Sequence, residues 1–174
     1  MGKPKHKQPA RPTLADLADK YALYRLAVQD PEHEVEQFLR FYKDQFGRLP
    51  LRLREDFCAA AAVCCEWVKL GRDHSAIGVD LDPEPLSHCR RTYLPKLTAT
   101  QQVRVSLVQQ DVRTCDARAD IIAAQNYSFF LFKTRADVLR YFQQVHACLS
   151  DQGIFIVDMM GGGAMHDEQI SESR

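Results

Sequence analysis

From Leu51 to Asp158 the sequence alternates short aliphatic runs with longer amphipathic stretches. A short aliphatic run predicts a buried strand, and apolar residues at every third or fourth position predict a helix. Strands that alternate with helices form βαβ units, in which the strands lie parallel in one sheet. We therefore predict an α/β fold with strands, in chain order, at 51–55, 76–80, 103–109, 121–125 and 154–158.

Local capping signals predict where the helices begin and end. Thr13 caps a first N-terminal helix and Pro31 begins a second, so we predict two helices within residues 13–48. The segment Asp151-Gln152-Gly153 predicts a turn into the fifth strand. Further helices are predicted at 60–70, from the Asp82 cap to the residue before Pro95, and from the Thr134 cap to Leu149.

Length and charge limit the classes of protein to consider. The 174 residues fit one compact domain, which we place at 49–162. The 23 basic and 23 acidic side chains cancel, so no overall field marks the chain as a binder of nucleic acid or acidic substrates. The polar ends predict a disordered basic tail at 1–12 and a flexible tail at 163–174. With no signal peptide and no run of about 20 apolar residues, the sequence predicts a cytoplasmic protein with no membrane partner.

The cysteines are predicted to be free thiols, and the spacing of the histidines and cysteines predicts no metal site. No two cysteines form a Cys-x-x-Cys pair, and all lie in apolar or helical stretches, which predicts buried free thiols in a reducing compartment. Two His and Cys pairs lack the ligand spacing of a zinc site. These pairs are His88 with Cys89 and His146 with Cys148.

Acidic or amide side chains follow every predicted strand. Caps and turns explain any one of them, because Asp, Asn and Ser favour such positions. They explain the whole series less well, because ligands of doubly wound sheets bind outside the C-terminal ends of the strands. The residues are Glu55 and Asp56, then Asp80 and Asp82, Asp111, Gln125 to Ser128, and Asp158.

The turn after the first strand separates two kinds of nucleotide site. Residues 55–61 include two acids and neither glycine nor lysine. A dinucleotide site surrounds its phosphates with glycines, free N–H groups and often a lysine. A carboxylate about 4 Å from a phosphate charge is repelled by about 4 kcal/mol at an effective dielectric near 20. The turn therefore argues against a dinucleotide-dependent oxidoreductase, the weakest of the three functions that we consider, and favours a cationic ligand.

Taken together, these residues resemble a known family. The segment from about Leu51 to Gly162 resembles the class I S-adenosylmethionine-dependent methyltransferases, whose cofactor carries a sulfonium, an ammonium and no phosphate. The matching acids are Glu55, Asp80 in Gly78-Val79-Asp80, and Asp111. The resemblance implies a Rossmann-like, doubly wound, mostly parallel sheet of order 3-2-1-4-5. It also implies S-adenosylmethionine as cofactor and methyl transfer as the reaction.

The resemblance further implies roles for the first two strand ends. Glu55 orients the methionyl ammonium, from a turn that also includes Cys58 and Ala59. Asp80 binds the ribose hydroxyls, with Leu81 beside it. The acid lies 21 positions after Ala59, in agreement with the spacing of about 20 residues between a glycine-rich turn and a ribose-binding acid.

The third and fourth strand ends complete the implied site. Asp111 receives the adenine amino group, with Val112 beside the ring. Asn126 contacts the cofactor and, with Tyr127, faces the methyl acceptor. We expect the two N-terminal helices to cover the cleft. Small molecule, protein and RNA all stay open as the acceptor.

Two departures from the family pattern bear on activity. The family has Gly, usually followed by Thr, where this chain has Ala59-Ala60. Alanine costs about 1–2 kcal/mol if a left-handed conformation is required there, so we expect cofactor binding to be weakened or abolished. The family sheet has two more strands after the fifth. We therefore expect a fragment, a short isoform or an engineered form, with an exposed fifth strand available for self-association. Our second hypothesis is accordingly an inactive, methyltransferase-like binding or scaffold module.

Two further features have two interpretations each. Arg54 alternates with Leu51 and Leu53, so it is either an outward strand residue or a partner of the methionyl carboxylate. The aromatic run at 127–132 either buries the loop after the fourth strand or forms a wall of the substrate site.

Overall fold

The computed structural model describes residues 13–162. The tails predicted at 1–12 and 163–174 lie outside these residues. The described chain divides into two units, one up to Asp30 and one from Pro31 onward, and each is described by itself.

The N-terminal region contains three helices where the sequence predicted two. They are α1 (Leu14–Leu17), α2 (Lys20–Val28) and α3 (Pro31–Phe46). The predicted first helix is interrupted because the Asp19 carboxylate accepts the backbone N–H groups of Tyr21 and Ala22 and so caps a new helix. The second predicted helix is confirmed as α3, which begins at Pro31 as expected.

Five strands form one parallel sheet, as the alternation predicts. They are β1 (Arg52–Asp56), β2 (Ser75–Asp80), β3 (Val105–Gln109), β4 (Ala119–Ala124) and β5 (Leu149–Val157). Their order is β3-β2-β1-β4-β5, and every neighbouring pair is parallel. The predicted α/β class and strand order are therefore confirmed. Among the described strands β5 pairs only with β4, so its outer edge is open there.

Four helices connect the strands. They are α4 (Ala62–Trp67), α5 (Pro83–Thr92), α6 (Ala99–Gln102) and α7 (Arg135–Cys148), with 3₁₀ turns at Leu94–Lys96 and Ser128–Leu131. The predicted caps of α5 and α7 are confirmed, since Asp82 and Thr134 accept backbone N–H groups of their first turns. Helix α6 was not predicted, although its Thr98 and Gln101 form a capping box.

The fifth strand begins earlier than predicted. Ala119 pairs with Leu149, but Ile121, two residues on, pairs with Ile154, five residues on. The segment predicted as a turn therefore lies inside β5 as an irregularity of the ladder. A Cβ at Gly153 would lie 2.9 Å from the Ser150 backbone, so this close approach requires glycine.

The core lies on both faces of the sheet. On one face Tyr141 and Val145 of α7 pack with Ile122 of β4. On the other, the buried Trp67 of α4 donates from its indole Nε1 to the Leu51 carbonyl at 3.2 Å. All six cysteines are buried free thiols, as predicted. Within residues 13–162 no helix is both long and apolar enough to span a membrane.

Candidate functional site at the C-terminal edge of the sheet

Backbone strain is concentrated after the two central strands. Five non-glycine residues among those described have positive φ, a conformation that L side chains disfavour. All five lie just after β1 or β4. They are Phe57, Ala59, Ala61, Asn126 and Tyr127, with φ between 46° and 57°. Strain of this kind clusters at functional sites, so it marks this edge of the sheet.

The first turn is tied to β2 by hydrogen bonds. Ala59, at φ 46°, donates its N–H to Asp80 Oδ2 at 2.7 Å. Cys58 N–H donates to the Val79 carbonyl at 3.0 Å, and Ala61 N–H donates to the Cys58 carbonyl at 2.6 Å. Position 59 is thus left-handed, the case in which alanine is costly. The same turn delays the start of α4 to Ala62, two residues after the predicted position.

The Cys58 thiol lies beneath this turn. A Cβ on Gly78 would meet the Cys58 Sγ at 2.9 Å, so glycine at position 78 lets the turn lie close to β2. Burial raises the pKa of the Cys58 thiol well above its usual value. The thiol therefore packs inside the fold, and the backbone of Cys58 holds the turn through its bonds to Val79 and Ala61.

Glu55 is a buried carboxyl without a cationic partner. Only 5% of the residue is exposed, and its Oε2 accepts the backbone N–H of Cys64 at 3.2 Å. Burial raises the pKa of Glu55 to about 8, with nearby Glu34 and Asp80 adding repulsion. In the described part of the chain no lysine or arginine forms an ion pair with it. The site thus contains an unneutralised acid where the sequence predicts a contact to an ammonium group.

Asp80 joins the turn to the start of α5. Its Oδ2 accepts the N–H of Ala59, and its Oδ1 accepts the N–H of Asp82 at 2.9 Å. An ionised carboxylate has about four lone-pair positions, so each oxygen keeps one for a further donor. Leu81, between the two acids, is largely exposed at the edge.

Asp111 is engaged by a residue that the sequence did not single out. Both carboxylate oxygens accept from the Arg113 guanidinium, at distances down to 2.7 Å, and this contact lowers the pKa of Asp111. Arg113 also donates to Asp137 at 2.6 Å. The adjacent Val112 is buried in the core cluster. An i, i+2 acid and arginine pair was the available signal for this contact.

Comparison with solved structures decides the fold. The sugar N-methyltransferase KedS8 from Streptoalloteichus sp ATCC 53650 superposes with a TM-score of 0.67 at 20% identity, over 97% of this chain and 62% of that chain. CalS10, an amino pentose methyltransferase from Micromonospora echinaspora with S-adenosylmethionine bound, gives 0.66 at 17% identity, over 91% and 61%. The glycopeptide N-methyltransferase MtfA with the same ligand gives 0.62 at 19% identity, over 82% and 60%.

The chain has the class I methyltransferase fold. It spans about three fifths of the length of these solved structures. No family model matches the sequence, and no curated protein matches it.

In this methyltransferase fold Asp158 organises the loop after β4. Its Oδ2 accepts the N–H of Asn126 at 2.9 Å, and its Oδ1 accepts the N–H of Tyr127 at 2.8 Å. One carboxylate therefore holds two successive left-handed residues. The sequence placed Asp158 at a strand end but did not predict this contact, which joins residues more than 30 positions apart.

The aromatic run after β4 was predicted either to bury the loop or to form a wall of the substrate site, and different residues of the run fit each interpretation. Phe129 is buried in the core cluster, and Phe132 packs against it. Tyr127 and Phe130 are exposed and stack at 6.4 Å between ring centroids. Part of the run therefore anchors the loop, and part faces outward at the ligand edge.

Arg54 is neither an outward residue nor a residue of the ligand edge. It is fully buried, and its guanidinium donates to Asp56 at 2.7 and 3.0 Å and to the carbonyl of Cys115 at 2.9 Å. Tyr141 donates its hydroxyl to the same Asp56 carboxylate at 2.9 Å. Burial alone lowers the pKa of Arg54, but Asp56 outweighs it and raises the pKa. Arg54 therefore ties β1 to the segment before β4, and Tyr141 links the same Asp56 carboxylate to α7.

The opposite edge of the fold has a broader but neutralised groove. A cavity of about 1030 Å³ opens at the N-terminal ends of the strands. Within it Asp120 accepts the N–H groups of Leu51 and Arg52, the Arg52 guanidinium and the Ser150 hydroxyl. These contacts complete the hydrogen bonding of Asp120. Backbone strain and a buried acid with no described ion pair therefore coincide at the C-terminal edge and not in this groove.

Proposed function

We propose that this chain binds S-adenosylmethionine at the C-terminal edge of the sheet and transfers its methyl group to an acceptor. The observation that carries the proposal is the Asp80 carboxylate, which holds the strained turn and keeps one lone pair on each oxygen. Two acceptor positions on one carboxylate match two neighbouring hydroxyls, as in a ribose. Bound S-adenosylmethionine supplies an electrophilic methyl carbon on a sulfonium.

The charges of the site support a cationic ligand. The first turn contributes the unneutralised Glu55, and the adjoining strand contributes Asp80. A phosphate would be repelled by the Asp80 carboxylate and would disfavour the charged form of Glu55, whereas an ammonium would lower the energy of that charged form. We therefore assign the ammonium to the surroundings of Glu55, with the backbone of Cys58 and Ala59 lining the turn.

The remaining predicted residues extend this assignment. Asp111 would accept from the adenine amino group once Arg113 shifts toward Asp137, with the exposed Leu81 flanking the ring. The Val112 side chain is buried in the core cluster and would not contact the ring. The Asp158 contact, which fixes the backbone of Asn126 and Tyr127 after β4, supports the acceptor-facing roles that we propose for these two residues. These residues orient the reactants, and positioning of this kind lowers a reaction barrier without an acid–base triad.

One observation favours the second candidate, an inactive binding or scaffold module. The Arg113 guanidinium occupies both oxygens of Asp111 in a bidentate contact, which is among the stronger ion-pair geometries. If the arginine stays there, the adenine amino group has no acceptor at this strand end. The Ala59 Cβ adds bulk where a cofactor approaches the turn.

Calorimetry with S-adenosylmethionine, S-adenosylhomocysteine and NAD tests the proposal. We expect the first two to bind and NAD not to bind. Asp80→Ala and Asp111→Ala should each weaken binding about 10-fold or more, since a hydrogen bond to a charged group contributes about 1.5–3 kcal/mol. Asp73→Ala, at the opposite edge, is the matched control.

Two outcomes would overturn the assignment. Absence of binding by both sulfur ligands would leave the scaffold module, and unchanged affinity in both site variants would move the site elsewhere. Because Asp80 also holds the Ala59 N–H, Asp80→Asn is a second variant that keeps one acceptor oxygen for the turn. Its melting temperature separates loss of binding from loss of folding.

A further inference from the structure

A small cavity adjoins the proposed cofactor edge. It has a volume of about 290 Å³ and opens between α3 and the C-terminal ends of β4 and β5. Phe38, Phe41 and Val157 contribute apolar walls, and Gln37 and Gln125 contribute amide groups. Apolar walls with a few converging polar groups are typical of small-molecule sites, and this volume is at the small end of their range.

Carboxylates outnumber basic side chains in the described lining of this cavity. Glu34 of α3 and Asp158 after β5 both line it, and no lysine or arginine does so among the described residues. His33 is the one basic side chain in that described lining. Glu34 is also close enough to Glu55 to raise the pKa of that carboxyl. Carboxylates on low-dielectric walls concentrate a negative potential, which attracts a cation.

Asp158 links the cavity to the strained loop. The carboxylate that lines the cavity also accepts the N–H groups of Asn126 and Tyr127. These are the residues to which the proposed function gives the acceptor side. A molecule in the cavity would therefore lie beside the loop that faces the transferred methyl group.

We propose that this cavity is the acceptor subsite and that it takes a small primary or secondary amine in its ammonium form. The inference rests on the proposed function and deepens it. Glu34 and Asp158 attract the ammonium, and the phenylalanines exclude water from the carbon skeleton. In the reaction the ammonium first gives one proton to water. The nitrogen lone pair then forms the N–C bond to the methyl carbon while the C–S bond breaks, and its electron pair stays on sulfur.

Matched amine and alcohol pairs test the inference by binding rather than by turnover. The protein is first saturated with S-adenosylhomocysteine, and calorimetry then measures cyclohexylamine against cyclohexanol, glucosamine against glucose, and tyramine against tyrosol. We expect the amine to bind at least 10-fold more tightly than its alcohol in one or more pairs. A panel in which no amine is preferred overturns the inference.

Two variants locate the effect. Glu34→Gln should reduce the amine preference to less than 3-fold, and the exposed Glu36→Gln on the same helix should leave it unchanged. Asp158→Asn keeps one acceptor oxygen for the loop and should also reduce the preference. An amine preference that persists in both cavity variants places the amine elsewhere and overturns the subsite.

The first titration separates the two proposals. If S-adenosylhomocysteine fails to bind, the proposed function fails, and the acceptor subsite that rests on it fails too. If it binds and the amines show no preference, only the subsite is overturned. A melting curve for each variant confirms that the protein used in the titration is folded.

Discussion

Glu55 and Asp56 are neighbours in sequence and lie on opposite faces of β1, and their surroundings differ. Asp56 faces α7, where Arg54 and Tyr141 satisfy both of its oxygens. Glu55 faces α4, where its one described hydrogen bond comes from the Cys64 N–H. We call these the paired face and the open face. The difference teaches that two adjacent buried acids can differ in pairing, because the Asp56 side of β1 meets an arginine and a tyrosine hydroxyl and the Glu55 side meets a backbone N–H.

The largest expected effect comes from breaking the paired face. Arg54→Met should lower the free energy of unfolding by about 3–5 kcal/mol, because it leaves the Asp56 charge buried and uncompensated. Arg52→Met, on the same strand with a half-exposed side chain, should cost at most about 1 kcal/mol. Denaturant unfolding measures both. Equal losses in the two variants would mean that the buried ion pair has no special role.

Protonation of Glu55 on the open face should make the stability of the protein depend on pH. The pKa of Glu55 is about 8 in the folded chain and ordinarily 4.5, so the folded state binds more protons between these values. Stability therefore falls as pH rises through this window. Glu55→Gln should remove this fall, which amounts to up to about 3–4 kcal/mol between pH 5 and 8.

Unfolding free energies at pH 5 and pH 8 check this prediction. The control is Glu66→Gln, whose more accessible carboxylate is paired with Lys69 and should not change the slope. Parallel pH profiles for wild type and Glu55→Gln would show that Glu55 is already ionised in the folded protein.

A smaller effect isolates the hydroxyl on the paired face. Tyr141→Phe removes a hydrogen bond to a buried carboxylate and should cost about 1.5–3 kcal/mol. Tyr42→Phe removes a buried hydroxyl that lies beside the Arg48 guanidinium and bonds no carboxylate, so it should cost less, at most about 1 kcal/mol. Chemical unfolding of the two variants gives the comparison. A Tyr141→Phe protein as stable as wild type would show that Arg54 alone stabilises the buried Asp56 carboxylate.

The smallest expected effect concerns the turn above the open face. Ala59→Gly should raise stability by about 1 kcal/mol, because glycine adopts the left-handed conformation without the Cβ penalty. For a chain of this length that is about 2–4 °C in melting temperature. Ala60→Gly, next in sequence and without a positive φ, should instead cost about 0.5–1 kcal/mol. Calorimetric melting of both proteins decides, and a lower melting temperature for Ala59→Gly contradicts the strain argument.

Local patterns predicted most of the fold. Alternating strands and helices implied the parallel sheet, and Asp82 and Thr134 marked helix starts that the structure confirms. These signals work because caps and periodicity depend on residues within a few positions of one another. The prediction of the first helix was wrong because Asp19 offered a competing cap within the same apolar pattern.

The candidate site was predictable in position but not in detail. Acids at successive strand ends identified the edge, because parallel strands bring their C-terminal ends together. Arg113 stands two positions after Asp111, so that pairing had a local signal. The contact between Asp158 and the Asn126 loop had none, because only the pairing of β4 with β5 brings these residues together. The placement of Arg54 required the position of the segment at 112–117, whose carbonyls accept hydrogen bonds from it.

The sequence by itself determined the α/β class and the row of acids at the strand ends, because these follow from periodicity and from the geometry of parallel strands, whereas the strand order came from the resemblance to a known family. Only the tertiary structure decided which acids are neutralised. Asp56 and Asp111 receive arginines, Glu55 is buried with no lysine or arginine paired to it in the described part of the chain, and Asp80 and Asp158 hold strained backbone. The physical reason is that burial and charge pairing depend on which side chains packing brings within hydrogen-bond distance, and residues distant in sequence supply several of them.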